Sequence, residues 1–352
     1  MKIAILGLPL SGKTTLFRAL AAGHYSVAGE THLAAVPVPD RRLDAIAERE
    51  QPRKKTYASV TFVDVGAMRA GEDTGARLDK LHSLTGDADA LLLVVQAFGD
   101  LDHAGRSLDV ARDLRDLLVE ILLTDMAIVE RRLDRVAKEH RSKRKGEQDP
   151  EYDFLQRLRE HLETEQWARR LPMSDEEANF ARGYGLLTLR PALVVFNVAE
   201  DDLEGQKARA AADLAAALGF PYELICADLE LQLSELAEDE RAAFVAEYGL
   251  QAAARERLIS AAYGLLDIVT FFTVNENEAR AWTVPRGTTA RQAAGKIHSD
   301  MEKGFVRAET IAFSEYENVA SLHEAHKANK VRLEGKDYVV QDGDILQIRF
   351  TH

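Results

Sequence analysis

The sequence has one cysteine, Cys226, so an internal disulfide is excluded and a reducing compartment suits the chain. It also lacks a long apolar run. The longest, Ala90 to Phe98, is closed by Asp89 and Asp100 and is far too short to span a bilayer. No leader pattern precedes the first strand-like residues, Lys2 to Leu6, and no small-residue cleavage site follows a long apolar core. A cytoplasmic protein without membrane association is expected. Positive charge is scarce as well: 45 Lys and Arg face 58 Asp and Glu, a formal charge of −13. A polyanion would be repelled over most of such a surface, so broad nucleic-acid binding, and DNA as a partner, are not expected. Fixed-period repeats and low-complexity segments are missing too.

What remains is an ordinary globular composition, 46% hydrophobic and 29% charged, over 352 residues. That length exceeds what one core usually organises, so two or three domains are expected. Short β-rich apolar runs alternate with helical patterns, which predicts an α/β fold with a doubly wound, mostly parallel sheet. The strand candidates are Lys2 to Leu6, Ser59 to Asp64, Ala90 to Phe98, Ala192 to Asn197 and Tyr222 to Cys226, all read as centrally buried. From Leu122, the positions Met126, Val129, Leu133 and Val136 follow helical steps, and Leu155, Leu158 and Leu162 repeat them after the break Gly146 to Pro150. An inserted helical hairpin is predicted over 121–174.

Near that hairpin's turn the charge balance reverses locally. Arg131, Arg132, Arg135, Lys138, Arg141, Lys143, Arg144 and Lys145 face only Asp134 and Glu139. Such a run reads either as a solvated helix face or as an RNA-facing tip. From about Ile268 the pattern changes to short strands with one helix: Arg280 to Val284, a helix over Thr289 to His298, then Tyr338 to Gln341 and Ile345 to Phe350 flanking the turn signal Asp342-Gly343-Asp344. A separate α+β domain is predicted over 267–352. The sheet domain takes 1–120 and 175–266.

The chemistry starts at Gly7-Leu8-Pro9-Leu10-Ser11-Gly12-Lys13-Thr14, a GxxxxGK[ST] string between a strand and the helix Thr15 to Ala22. Glycines let backbone N–H groups close around phosphates, and the helix start adds partial positive charge. Lys13 would reach the β- and γ-phosphates, and the Thr14 hydroxyl would ligate Mg2+. Such a string arises by chance in roughly one chain of this length in a hundred. Asp64, ending the strand Val60 to Val63, stands where a second acid would hold the Mg2+ through water. Cys226 reads as a small buried residue at a strand end, and Trp282 as core.

Several stretches then resemble the Obg-like ATPases of the YchF subfamily. They include the P-loop, Val36 to Leu43, Phe62 to Val65, Ile121 to Leu133, Leu189 to Pro191 with Asn197 to Glu200, and in the tail Val284 to Gly287, Gln292 to His298, Glu302 to Phe305 and Glu334 to Tyr338. The likeness covers essentially the whole chain. It implies a P-loop domain with a helical insertion and a C-terminal β-grasp (TGS) domain, and ATP hydrolysis linked to the ribosome, contacted through the TGS domain and the basic tip. It also implies a nucleotide site built from Pro9, Leu10, Ser11, Gly12, Lys13, Thr14 and Thr15. Asn197, Val198 and Glu200 would read the base, backed by Ala227 and Asp228. Lys13 and His103 would be catalytic, the latter matching a family histidine placed near the γ-phosphate, although a loop histidine is as readily a plain surface residue.

Two departures from the family pattern stand out: Leu10 replaces the usual P-loop Asn, and the glycine of DxxG moves forward in Asp64-Val65-Gly66-Ala67. Met68 stands where Ras-like proteins carry a water-orienting Gln, in keeping with the hydrophobic residue the family has there. The region Ser26 to Leu33 aligns poorly, leaving Thr31 as the candidate metal contact there. A GTPase on the same fold, and a nucleotide-gated binding module with negligible hydrolysis, are the alternative readings.

Overall fold

The computed structural model describes residues 1–28, 31–65, 74–142, 149–237, 240 and 254–351. Its contacts divide the chain into two compact units, Met1–Val36 with Thr61–Leu265, and Pro37–Val60 with Leu266–His352.

The first unit is an α/β layer structure around one sheet. Its strands are β1 (Lys2–Gly7), β2 (Ser26–Ala28), β3 (Thr31–Pro37), β5 (Ser59–Val65), β6 (Ala90–Ala97), β7 (Ala192–Val198) and β8 (Tyr222–Ile225), in the order β2-β3-β5-β1-β6-β7-β8. β1 pairs in parallel with both β5 and β6, and β6 with β7. All eight residues of β6 and all seven of β7 are buried, as a strand covered on both faces requires. Each buried Leu or Val there contributes about 2 kcal/mol of apolar transfer. β8 differs from expectation. It lies at the sheet edge and Tyr222 is exposed, so it is not a central strand. Helices α1 (Lys13–Ala21), α3 (Thr74–Thr85), α7 (Arg209–Ala217), α8 (Ala227–Glu235) and α9 (Ala254–Gly264) belong to the same unit.

A long helix, α4 (Val110–Ser142), starts well before position 121, and α5 (Pro150–Glu163) returns along it. Val129, Leu133 and Val136 of α4 and Phe154, Leu155, Leu158 and Leu162 of α5 share one core cluster with the sheet. Arg132 pairs with Glu151 across the hairpin at 2.6 Å. At its root the fully buried Asp125 accepts hydrogen bonds from Leu187 N, Thr188 N and Thr188 Oγ1. The short helix α6 (Asp175–Tyr184) follows, opened by a capping box between Ser174 and Glu177. Lys143, Arg144 and Lys145 lie outside the described residues.

The second unit is an α+β sheet in the order β12-β11-β13-β9-β10-β4, with β9 (Ile268–Val274), β10 (Glu278–Pro285), β11 (Phe305–Ala312), β12 (Arg332–Glu334) and β13 (Asp344–Phe350). The antiparallel hairpin β9-β10, a parallel β13 beside β9, and α10 (Ala290–Ile297), opened by a Thr289–Gln292 capping box, give it a β-grasp topology. Its sixth strand, β4 (Lys54–Thr56), comes from the N-terminal half and pairs in parallel with β10. Leu43 and Ile46 of α2 (Arg41–Glu50) join Phe272, Ile311 and Ile345 in its core. The span 1–120 is therefore divided: 37–60 packs with the C-terminal sheet. Tyr338 to Gln341 is not a strand either. It holds an isolated bridge, Val339 to Thr289, while Asp342-Gly343 makes the expected turn with Gly343 at φ 89°.

Candidate functional site

The P-loop occupies the turn between β1 and α1, where the carboxyl end of a central parallel strand opens toward ligand. Two glycines are required by contact. A Cβ on Gly7 would stand 2.5 Å from Val94 O, and one on Gly12, at φ 85°, would stand 2.1 Å from Asn197 Nδ2. Leu10, at the crest, is 71% exposed and also holds a left-handed backbone, φ 61°. A residue with a Cβ pays for that conformation in strain. The helix that follows has no side-chain cap and no acid in its own first turn, so its opening N–H groups and positive end are not taken by a capping side chain.

Lys13 is only 6% exposed. Its Nζ donates to Leu8 O at 3.3 Å, and burial lowers its pKa against the opposing pull of Asp64 and Glu120. The Thr14 hydroxyl donates to Asp64 Oδ2 at 3.0 Å. Asp64 is fully buried, and its Oδ1 has no hydrogen-bond partner among the described residues. A hydroxyl and a half-satisfied carboxylate, both hard oxygen donors, fit a Mg2+ that takes its other ligands from water and phosphate. Among the described residues, no group of three or more His, Cys, Asp or Glu gathers to cage a metal alone.

Thr31 opens β3 and is buried, but the neighbour that reaches Asp64 is His32, with Nδ1 at 3.4 Å from Oδ2. His32 packs in an aromatic trio with Phe17 and Tyr25. Sequence reading missed it, because the antiparallel pairing of β2 with β3 that aims it cannot be seen locally.

His103 sits in the loop after β6, half-buried, and lines a small cavity with Pro9 and Ser11 of the P-loop and with Gln96 and Asp113. Asp102 fixes that loop by accepting from Ala104 N, Arg106 N, Arg106 Nε and Arg112 Nη2, all within 2.9 Å. Burial works to raise its pKa, yet the hydrogen bonds from Arg106 and Ala104 outweigh this and hold it below the ordinary value.

The opposite end of the site is built differently. Asn197 is 5% exposed and acts as a strap: its Nδ2 donates to Ser11 O at 3.1 Å and its Oδ1 accepts from Ala227 N at 2.9 Å. Its amide therefore ties the P-loop to the start of α8. Val198 is packed in the core, so its side chain does not lie over a base. Glu200 and Asp228 are exposed and converge on Gln232, whose Nε2 donates to Glu200 Oε1 at 3.2 Å and Asp228 Oδ2 at 3.4 Å. Gln232 was not anticipated; its position one helical turn after Asp228 is the signal that finds it. Cys226 is buried ahead of α8, and burial pushes its thiol pKa up, which makes it unreactive.

The chain has relatives among known proteins. A family model described as YchF-GTPase_C, a protein of unknown function, matches residues 268–351. The "Ribosome-binding ATPase YchF" of Bacillus subtilis is 36% identical, with 99% of this chain and 98% of the relative covered. The protein of the same name from Haemophilus ducreyi is also 36% identical, with 99% of each covered. The chain belongs to the YchF family. The structure of the Schizosaccharomyces pombe YchF GTPase superposes with a TM-score of 0.86 at 26% identity, covering 99% of this chain and 97% of that one. A GTP binding protein from Pyrococcus horikoshii OT3, 20% identical with a TM-score of 0.62 and all of both chains covered, shares the fold. Within the YchF pattern, Leu10 is the departure whose geometry can be described; Gly66, Ala67 and Met68 lie outside the described residues.

Proposed function

We propose that this chain is a Mg2+-dependent nucleoside triphosphatase that hydrolyses ATP in preference to GTP and works as a conformational switch on the ribosome, in the cytoplasm. The observation that carries the reading is the phosphate end: an uncapped helix start behind the P-loop, with Lys13 and Thr14 set against the buried Asp64. The backbone N–H groups from Leu10 to Thr15, in the loop that Pro9 opens, cradle the phosphates, and Lys13 offsets the charge that builds on the β- and γ-oxygens. Thr14 and Asp64 would hold the Mg2+, which supplies charge neutralisation to the transferring phosphoryl group. His103 orients the attacking water or takes its proton, a task an imidazole performs near neutral pH.

The base preference rests on the chemistry of the other end. Guanine is read by a short carboxylate that accepts from N1–H and the 2-amino group. Here the acid is the longer Glu200, drawn toward Gln232. Guanine thus meets an imperfect acceptor, while adenine, which has no N1–H, loses nothing. The second reading, a GTPase, is favoured by the names of the family model and of the fission-yeast structure. Described helices include none long and apolar enough to cross a membrane. The 267–352 domain and the basic tip of the 121–174 hairpin are the proposed ribosome contacts, since the rest of this acidic chain would repel ribosomal RNA.

Two experiments test this reading. Lys13→Ala abolishes ATP and ADP binding in calorimetric titration while the circular dichroism spectrum is retained, because the change removes the phosphates' charge partner. Wild-type affinity in that variant would refute the P-loop assignment. Changing Lys143, Arg144 and Lys145 to Glu weakens cosedimentation with ribosomes. Normal pelleting would place the ribosome contact elsewhere.

A further inference from the structure

The carboxylate at the metal position is held through one of its two oxygens. Asp64 is fully buried; its Oδ2 accepts from the Thr14 hydroxyl at 3.0 Å and lies 3.4 Å from His32 Nδ1. Its Oδ1 is buried with no partner among the described residues. A buried acceptor of this kind is costly unless something donates to it. Oδ2 is already taken, so Oδ1 is the atom left to receive a hydrogen from a metal-bound water.

The sheet and α1 together explain why His32 stands where it does. β3, which carries His32, runs beside β5, which carries Asp64. Phe17 follows Thr14 by about one turn of α1, so one helix face supplies both the hydroxyl on Asp64 and a seat for the imidazole. The His32 ring lies against Phe17 with centroids 5.9 Å apart and meets Tyr25 edge-on at 5.8 Å. Packing between two aromatic rings restricts the imidazole and so sets the direction of Nδ1. A carboxylate oxygen only accepts, so the contact requires a hydrogen on Nδ1 in whichever form the ring takes. At 3.4 Å the bond is a weak one, and its effect falls on where the carboxylate points rather than on stability.

We infer that His32 is a positioning residue for the metal: together with Thr14 it fixes Asp64 by Oδ2, so that Oδ1 is the oxygen offered to the water shell of the Mg2+. Groups that orient a metal's partners in this way change metal affinity by about 10- to 100-fold. The inference rests on the reading of Asp64 as the metal-side acid.

The test separates the donated hydrogen from the ring that carries it. His32→Phe keeps a ring between Phe17 and Tyr25 but donates nothing, whereas His32→Asn gives up the ring yet can place an amide N–H where Nδ1 stands. Mn2+ serves as the probe, and its binding to the ADP complex of the full-length chain is followed by electron paramagnetic resonance. His32→Phe needs about tenfold more free Mn2+ than wild type to fill the site, His32→Asn stays close to wild type, and the Tm without metal is the same for all three. His32→Leu, equally without a donor, answers the same question should the Phe variant not fold. Wild-type Mn2+ affinity in the variants without a donor overturns the inference, as does an Asn variant as weak as the Phe one, which would make the ring and not its hydrogen the cause. If the wild-type ADP complex holds no Mn2+, the metal reading of Asp64 fails and takes the inference with it.

Discussion

The two ends of the nucleotide cleft are built on opposite principles. At the phosphate end the charged groups are sequestered: Lys13 is 6% exposed, Asp64 is fully buried, and Ser11, whose hydroxyl finds no partner among the described residues, is 1% exposed. At the base end, Glu200, Asp228 and Gln232 stand in solvent and hold one another through hydrogen bonds of 3.2 and 3.4 Å. Asn197, buried between them, belongs to both ends. Buried charges interact strongly and tolerate little change, whereas exposed ones are screened and adjustable. On the proposed reading, the difference teaches that the phosphate groups are met by sequestered charges while the choice of base would be left to weak, replaceable contacts.

If that contrast is right, the largest losses come from the buried end, with Lys13→Ala the extreme. Next is His103→Ala, which lowers single-turnover hydrolysis at least about tenfold while nucleotide affinity changes little, the pattern of a group acting mainly in the transition state. An unchanged rate returns His103 to the role of a loop residue and leaves the cavity beside Pro9 without catalytic meaning.

A smaller effect concerns a buried charge remote from both ends. Burial raises the Asp125 pKa to about 6, against the opposing hydrogen bonds from Thr188 and Leu187 and the field of His82. Its unfolded value is about 4, so between these values the native state binds the extra proton. Stability therefore falls as pH rises from about 4 to about 6 and this contribution is flat above that, a change of about 2–3 kcal/mol. Denaturant unfolding of wild type and Asp125→Asn across that range checks the sign: the slope is present in wild type and missing from the variant. Equal slopes contradict it.

Much of the phosphate end was legible because its determinants are local. A strand, a glycine-bearing turn and a helix start follow one another within Lys2 to Ala21, and backbone sterics at Gly7 and Gly12 leave no other residue type there. The buried runs Ala90 to Ala97 and Ala192 to Val198 announced themselves by composition alone. That same run contained the warning about Val198, whose place in an unbroken apolar strand already assigned it to the core.

What stayed hidden depends on partners distant in sequence. Nothing in Lys54-Lys55-Thr56 says that it will pair with Glu278 to Arg280, and nothing in Leu43 or Ile46 says which core receives them. His32 is aimed at Asp64 by a hairpin, and Gln232 at Glu200 by the approach of α8 to the turn after β7. The Tyr222 strand looked buried because it is β-rich, but sheet order, not composition, decides which strand forms the edge. The segment 37–60 is the clearest case. It lies between the strand that carries His32 and the one that carries Asp64, yet it packs with the C-terminal sheet.

The account stands most directly on the base preference, since that is what separates an ATPase from a GTPase on one fold. Competition titration of the wild-type chain against a labelled ATP analogue measures it. With Glu200 turned toward Gln232, GTP should displace the label about ten- to a hundredfold less effectively than ATP, the cost of about 1–3 kcal/mol for an imperfectly paired guanine edge. Equal displacement by GTP and ATP would contradict the account and make the chain a GTPase.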